Sequence, residues 1–414
     1  MLLVLGAFFY VFSLVDGRLG DNVCSNLLDY ATILVNNNCW YNPDIYASPE
    51  SIIANHGYYL QTHTVTTEDG YILNMFRISK KPTFVAHRKV VFLHHGMAAD
   101  SVQWITFGRR SIAFLLADLD YDVWMANARG TANSDRHVNK KLGSKNYWNF
   151  GFHEMGVYDL PASLEHVANI TGQLGEIVYI GHSMGTTASY IYATEKAAHA
   201  NKHIKGIISV APIAFLSELK SPLFLMVPII KPINTFLNTI GIYVVNNQKP
   251  AENLKPCLSF PLIGICLGFW YLIGGQSTEQ SYEDVPIYFS NLPAPVTTKG
   301  LAHYSQILLK GGRFQKYDYG LDNFRIYGSF IPPVYDVTKI TLPVHMFYGL
   351  ADTLAVDTDV LTLFNNLRTR KKSMQVIPTN TSIKFSHFDF ITSKHIAKHF
   401  IPYLQIKIQE ILNT

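Results

Sequence analysis

The chain has 414 residues, enough for one large domain or two ordinary ones. With 48% hydrophobic and only 15% charged residues it can bury a sizeable core, which excludes a disordered chain, a coiled coil and a collagen-like fibre. The 34 Lys and Arg against 30 Asp and Glu leave a formal charge of +4. The one dense basic run, Arg368-Thr369-Arg370-Lys371-Lys372, is short enough to be a solvated loop, so no nucleic-acid-binding face is expected.

At the start, Met1 to Val15 is apolar apart from Ser13 and is followed by Asp16 and the small Gly17. Residues 1–17 therefore read as a secretory signal peptide, with a membrane anchor as the alternative. Export leads to an oxidising space, outside the cell or in the lysosomal lumen, where the four cysteines can pair. Cys24 lies near Cys39 and Cys257 near Cys266, so two local loops are the simplest of three connectivities; free buried thiols are the alternative. Two sequons, beginning at Asn169 and Asn380, fit glycosylation in that compartment.

Beyond an irregular start, Gln61 to Thr67 alternates, Glu68-Asp69-Gly70-Tyr71 reads as a turn, and Ile72 to Ile78 is apolar, which predicts a hairpin. Short apolar runs follow at Val90 to Leu93, Tyr121 to Ala126, Ile177 to Ile180, Ile204 to Val210 and Val344 to Tyr348. Helix-length segments separate them, the pattern of parallel strands buried on both faces, so the fold class is α/β. From about Pro212 to Phe330 the rhythm stops, and residues 212–330 are expected to form an inserted subdomain between core segments 18–211 and 331–414. Within it, Pro256 to Thr278 is 23 residues without a charge. A buried core, an apolar surface that meets lipid, and a transmembrane helix are the readings of that stretch.

The strongest local signal is Gly181-His182-Ser183-Met184-Gly185, directly after an apolar strand and before the helix-like Thr186 to Lys196. This predicts a nucleophile elbow, with Gly181 and Gly185 as glycines because any side chain there would strike neighbouring backbone. A serine hydroxyl needs a base, and the base a carboxylate to orient it. In chain order the acid follows a late strand, and Tyr348-Gly349-Leu350-Ala351-Asp352 leaves one through a glycine turn. Asp352 is the expected acid, whereas Asp357 and Asp359 fall where a helix starts and are expected to cap it. His387, in an apolar loop before the last helix, is the expected base; His395 and His399 read as ordinary residues on that helix. The oxyanion donors are expected to be the backbone N–H groups of Met184 and of Met97, after His94-His95-Gly96. The paired histidines lack a third ligand, so no metal and no cofactor are expected.

These blocks together resemble the acid lipase family, the lysosomal and gastric lipases and their insect relatives. The resemblance spans nearly the whole mature chain. It includes Thr67-Glu68-Asp69-Gly70-Tyr71, His95-Gly96-Met97 with Trp104, Asn127-Ala128-Arg129-Gly130, the serine elbow, Tyr317-Asp318-Tyr319-Gly320, and the Asp352 and His387 segments. It implies an α/β-hydrolase fold with helices on both faces of a mostly parallel sheet and a mainly helical lid-bearing cap. It further implies hydrolysis of triacylglycerols, and of sterol esters, at a lipid–water interface, with no obligate protein partner. A smaller-ester carboxylesterase and a catalytically inactive lipid-binding protein are the rival functions. A cap disulfide would fall at Cys257 and Cys266, and the catalytic serine, aspartate and histidine carry over to Ser183, Asp352 and His387. The chain departs from the family's usual leucine and glutamine at Met97 and Met184, from an acidic residue at His153, and from glycine at Ala126.

Overall fold

The computed structural model describes residues 22–85, 89–246, 255–379 and 382–414. The expected signal peptide at 1–17 and the sequon residue Asn380 lie outside them. A short ribbon opens the described chain, with β1 (Asn22–Cys24) antiparallel to β2 (Cys39–Tyr41) and Cys24 directly opposite Cys39, to which it is disulfide-bonded. The predicted hairpin is β3 (Tyr59–Thr66) and β4 (Tyr71–Ser79), closed by a turn in which the Thr67 and Tyr71 backbones pair at 2.8 Å.

The five predicted core strands are all present: β5 (Val90–His94), β6 (Asp122–Ala126), β8 (Ile177–His182), β9 (Ile204–Val210) and β12 (Val344–Tyr348). With β13 (Lys372–Val376) they join one sheet in the order β13-β12-β9-β8-β5-β6-β4-β3, with the two-residue β7 (Arg136–His137) pairing β4. Pairing is parallel from β13 to β6 and antiparallel beyond it. Every residue of β5, β6 and β8 is buried, as follows when helices cover both faces of a parallel sheet. The packing is close: a Cβ at Gly206 of β9 would sit 2.9 Å from Ile411 of the helix Ile401–Leu412.

Sequence periodicity misses the edge strand β13 (Lys372–Val376), whose Lys-Ser-Met-Gln-Val is half-buried throughout and carries no apolar run. Lys372 is thus not part of a loop: its Nζ donates to Phe364 and Leu367 carbonyls, both at 2.7 Å, closing the helix Asp357–Asn366. The expected last helix is two, Ile396–His399 and Ile401–Leu412, broken at Phe400. His395 flanks the first, and His399 ends it.

Between β9 and β12 the chain turns helical, with Val227–Thr239, Leu262–Gly274, Asp284–Asn291 and Thr298–Leu309 and one small ribbon of β10 (Val244–Val245) and β11 (Val296–Thr297). The uncharged stretch from Pro256 resolves into a 3-10 turn, Lys255–Leu258, and the 13-residue helix Leu262–Gly274, joined by the Cys257–Cys266 disulfide. Among the described residues no helix is long and apolar enough to cross a membrane.

Candidate active site

Ser183 stands between β8 and the helix Met184–Glu195 with φ 53° and ψ −117°, a conformation that a non-glycine residue holds only when its surroundings force it. The surroundings do so through the flanking glycines. A Cβ at Gly181 would lie 2.7 Å from the Gly185 carbonyl carbon, and one at Gly185 would overlap the His94 carbonyl oxygen. The strand and helix therefore close to backbone contact, and the serine side chain is pushed out at the C-terminal end of the sheet.

Two loops reach it from later in the chain. Asp352 follows β12, where the chain runs against the other loop: a Cβ at Gly349 would overlap the Phe385 carbonyl, and Ala351 N–H donates to that carbonyl at 3.0 Å. His387 Nε2 lies 2.8 Å from Ser183 Oγ, and its Nδ1 lies 2.9 Å from Asp352 Oδ2. Asp352 Oδ1 meanwhile accepts the Leu354 and Ala355 N–H groups, each at 2.8 Å. A carboxylate only accepts, so Nδ1 carries the imidazole proton and Nε2 is left to take one from the serine. With Asp352 3% and His387 2% exposed, the pair is shielded and its orientation fixed.

Met184 is the first residue of its helix, so its N–H has no acceptor within the helix. Met97 lines the same cavity as Ser183 and His387. What fixes the Met97 peptide is His95, a residue that sequence reading placed in the turn before Met97 without assigning it a role. Its Nδ1–H donates to Gly96 O at 2.8 Å, its Nε2 accepts Ala128 N–H at 3.0 Å, and Gln103 Oε1 accepts Gly96 N–H at 3.2 Å. Because Gly96 O and Met97 N belong to one peptide plane, these bonds aim the Met97 N–H. Full burial pushes the His95 pKa down to about 4, which keeps the acceptor nitrogen free.

His182, the variable residue inside the elbow, is also part of the site. Its Nε2–H donates to the His387 carbonyl at 3.0 Å, and the two rings are 5.1 Å apart. Burial first, and then the neighbouring His387, push its pKa down to about 3. It stays neutral beneath an imidazole that must become charged. Nothing in the sequence beyond its place in the elbow signals this role.

The rival residues lie elsewhere. Asp357 pairs with Lys220 at 3.1 Å, and Asp359 accepts the N–H groups of Ser217 and Glu218. The N-cap position is Val356, and both aspartates sit in the first turn behind it: Asp357 also lies against the Thr358 N–H at the helix start, while Asp359 holds a neighbouring segment. His395 bonds Glu279 at 3.0 Å, and His399 is 6.0 Å from His395. The departure at His153 now has a partner, the Tyr335 hydroxyl at 2.8 Å. Ala126 ends β6 and is buried, with no contact that explains the missing glycine.

Ser183 and His387 open into a cavity of about 300 Å³ whose walls are almost entirely apolar. Phe107 and Phe388 come from the core segments, and Leu223, Ile230, Trp270 and Leu308 from the helices between β9 and β12. Met184 lines a separate, smaller cleft shared with Met155 and Val296. A hydroxyl, imidazole and carboxylate in sequence, with two unengaged N–H groups beside an apolar chamber, suit acyl transfer from an ester with a hydrocarbon tail.

Residues 49–108 match the family described as a partial alpha/beta-hydrolase lipase region, and residues 89–239 the alpha/beta hydrolase fold. Lipase 3 of Drosophila melanogaster is 34% identical over 84% of this chain and 89% of its own length. Gastric triacylglycerol lipase of Mus musculus is 33% identical over 84% and 88%, and lipase lipl-1 of Caenorhabditis elegans 32% identical over 90% and 94%. Among solved structures, DcsB in complex with its substrate analogue superposes with a TM-score of 0.51 at 13% identity, covering 86% of this chain and all of that one. The chain belongs to the acid lipase family of α/β-hydrolases, a family of carboxylic ester hydrolases.

Proposed function

We propose that this protein is a lipase that hydrolyses the ester bonds of neutral lipids, triacylglycerols foremost and sterol esters with them, through a covalent acyl-enzyme on Ser183. The observation that carries the reading is the Ser183–His387–Asp352 hydrogen-bond chain at the mouth of an apolar cavity. Ser183 Oγ gives its proton to His387 Nε2 and attacks the ester carbonyl; Asp352 holds the imidazole and stabilises its charged form. The Met97 and Met184 N–H groups receive the oxyanion, and the protonated His387 returns the proton to the leaving alcohol. Water, activated in the same way, then releases the fatty acid. The backbone supplies both oxyanion donors, so methionine side chains leave the hole intact.

Residues 212–330 act as a cap over the site, since the helices Val227–Thr239, Leu262–Gly274, Asp284–Asn291 and Thr298–Leu309 all contribute cavity wall. Their outer surface meets the lipid–water interface: Phe224, Leu225 and Phe236 are each more than half exposed. The protein enters the secretory pathway, a reading supported by its two disulfides and by the exposed position of Asn169 as a glycan acceptor.

The test is hydrolysis of a triacylglycerol emulsion, a cholesteryl ester and a short soluble ester by the protein and its Ser183→Ala variant, at acidic and neutral pH. Release of long-chain fatty acid that the variant lacks is the expected result. Activity confined to the short ester would make this a small-ester carboxylesterase, and a fully active Ser183→Ala variant would overturn the assignment.

A further inference from the structure

The basic run Arg368–Lys372 occupies a place that the sequence does not disclose. Residues 368–371 form the turn that leads into β13, at the N-terminal ends of the parallel strands and so at the end of the sheet opposite Ser183. There Arg368, Arg370 and Lys371 border a surface cleft of about 610 Å³, together with Lys205 at the start of β9, Thr338 and Thr341. The turn is pinned rather than loose. Thr369 Oγ1 donates to the Thr341 carbonyl at 3.3 Å, the Lys371 carbonyl accepts Val344 N–H at 2.9 Å, and Thr341 Oγ1 donates to Asn201 at 2.9 Å.

The charges around the cleft do not cancel. Glu176 is opposite Lys205 at 2.9 Å and Asp336 is opposite Lys339 at 3.8 Å, so both nearby acids already face a lysine. Arg368, Arg370 and Lys371 are exposed and have no acidic side chain within ion-pair distance among the described residues.

We propose that this cleft docks a sulfated polysaccharide, an extended polyanion whose sulfate groups pair with Arg368, Arg370 and Lys371. The guanidinium fork matches the oxygens of a sulfate two at a time. A concave cleft takes a linear chain. An anionic bilayer fits poorly, because binding it by this end would turn the Ser183 cavity away from lipid. Single-stranded nucleic acid fits poorly as well, since no aromatic side chain lines the cleft for bases to stack on. Bound in this way, the protein is held on an anionic glycan with its lipid entrance free.

The probe is heparin, applied to the full-length protein. Retention on a heparin column at about 150 mM NaCl is expected, with elution only at higher salt. The variant Arg368→Gln/Arg370→Gln/Lys371→Gln should elute earlier, bind at least about 10-fold more weakly, and show a shallower dependence of affinity on salt. Its thermal stability and short-ester hydrolysis should be unchanged. A second variant, Lys81→Gln/Lys141→Gln/Lys145→Gln, removes the same charge from exposed sites elsewhere and should elute with the parent protein. Flow-through of the parent at that salt, equal retention of the cleft variant, or an equal loss in the control variant would each overturn the proposal. So would tighter binding to phosphatidylserine vesicles or to single-stranded DNA than to heparin.

Discussion

The two halves of the site are held by different means. The half that carries Ser183 is held mainly by the sheet and its own loops: β8 and its helix are locked by Gly181 and Gly185, and the Met97 peptide by His95 and Gln103. The half that carries Asp352 and His387 leans on the inserted helices. The Gly274 carbonyl, at the end of Leu262–Gly274, accepts His387 N–H at 2.9 Å and Thr353 N–H at 3.4 Å. Thr353 Oγ1 donates to Ile273 O at 2.8 Å, and Gln280 Nε2 donates to Ser386 and Asp389 on either side of His387. The oxyanion-and-nucleophile half is thus held chiefly by the sheet, its ties to the insertion being Ala294 N–H to Ala98 O at 2.8 Å and Tyr304 to Thr187 at 2.9 Å, whereas the base and acid are placed by the segment that also walls the lipid cavity.

That difference sorts the lesions. The largest effect should come from Asp352→Asn, which keeps the shape but offers His387 Nδ1 a donor or a reversed tautomer. Turnover on every ester should fall by about 10⁴-fold while circular dichroism and melting stay the same. A loss below about 10-fold would mean that Asp352 does not orient the base.

Gly274→Ala tests whether the insertion reaches the chemistry. The added Cβ would lie 2.5 Å from the Phe388 ring and 3.2 Å from His387 Cβ, and the next residue, Gly275, has φ +101° and no room beside the Ala351 carbonyl. The helix end must therefore shift, and a shift of about 1 Å in the base costs about 10²-fold in rate. Short and long esters should lose kcat alike, with KM little changed. Loss confined to long esters would show instead that the helix end shapes only the cavity.

Leu223→Ala makes the complementary change. Leu223 is half-buried in the cavity wall, so truncating its side chain should act on binding of the acyl chain. Removing three carbons from an apolar wall should lower kcat/KM for a long-chain ester about 10-fold relative to a short one. An equal effect on both would erase the distinction between the two halves.

The same contrast explains what the sequence discloses. The core strands are visible because burial on both faces demands unbroken apolar runs, and the elbow because only glycine fits at 181 and 185. Asp352 and His387 are recognisable from their order after β12. The inserted helices carry no comparable signature: apolar residues there line a cavity as well as a core, so the period of 3.6 is blurred and prolines such as Pro232 sit inside a helix. β13 escapes because an edge strand is only half-buried. His95 and His182 escape because their roles consist of bonds to backbone groups brought together by the fold.

The smallest expected effect concerns pH, and it belongs to both halves. His95 and His182 in the core and His303 in the inserted helix Thr298–Leu309 are fully buried, and burial pushes their pKa values to about 4, 3 and 3 from an unfolded value near 6.5. In that window the unfolded chain binds protons that the folded chain refuses, so these groups lower stability as pH falls from about 6.5 towards 4. Asp100 and Asp389 act in the opposite sense, since burial raises both to about 6 and the folded state takes up their protons first. Their contribution improves stability as pH falls from about 6 to 4. His63 and His345, each pushed down to about 4 chiefly by burial, join the larger group. The histidines outnumber the aspartates, so the melting temperature should fall between pH 7 and 4. His303→Gln should flatten that fall by removing one titration, and a melting temperature that rises towards acid would mean that protons enter the folded core where burial forbids them.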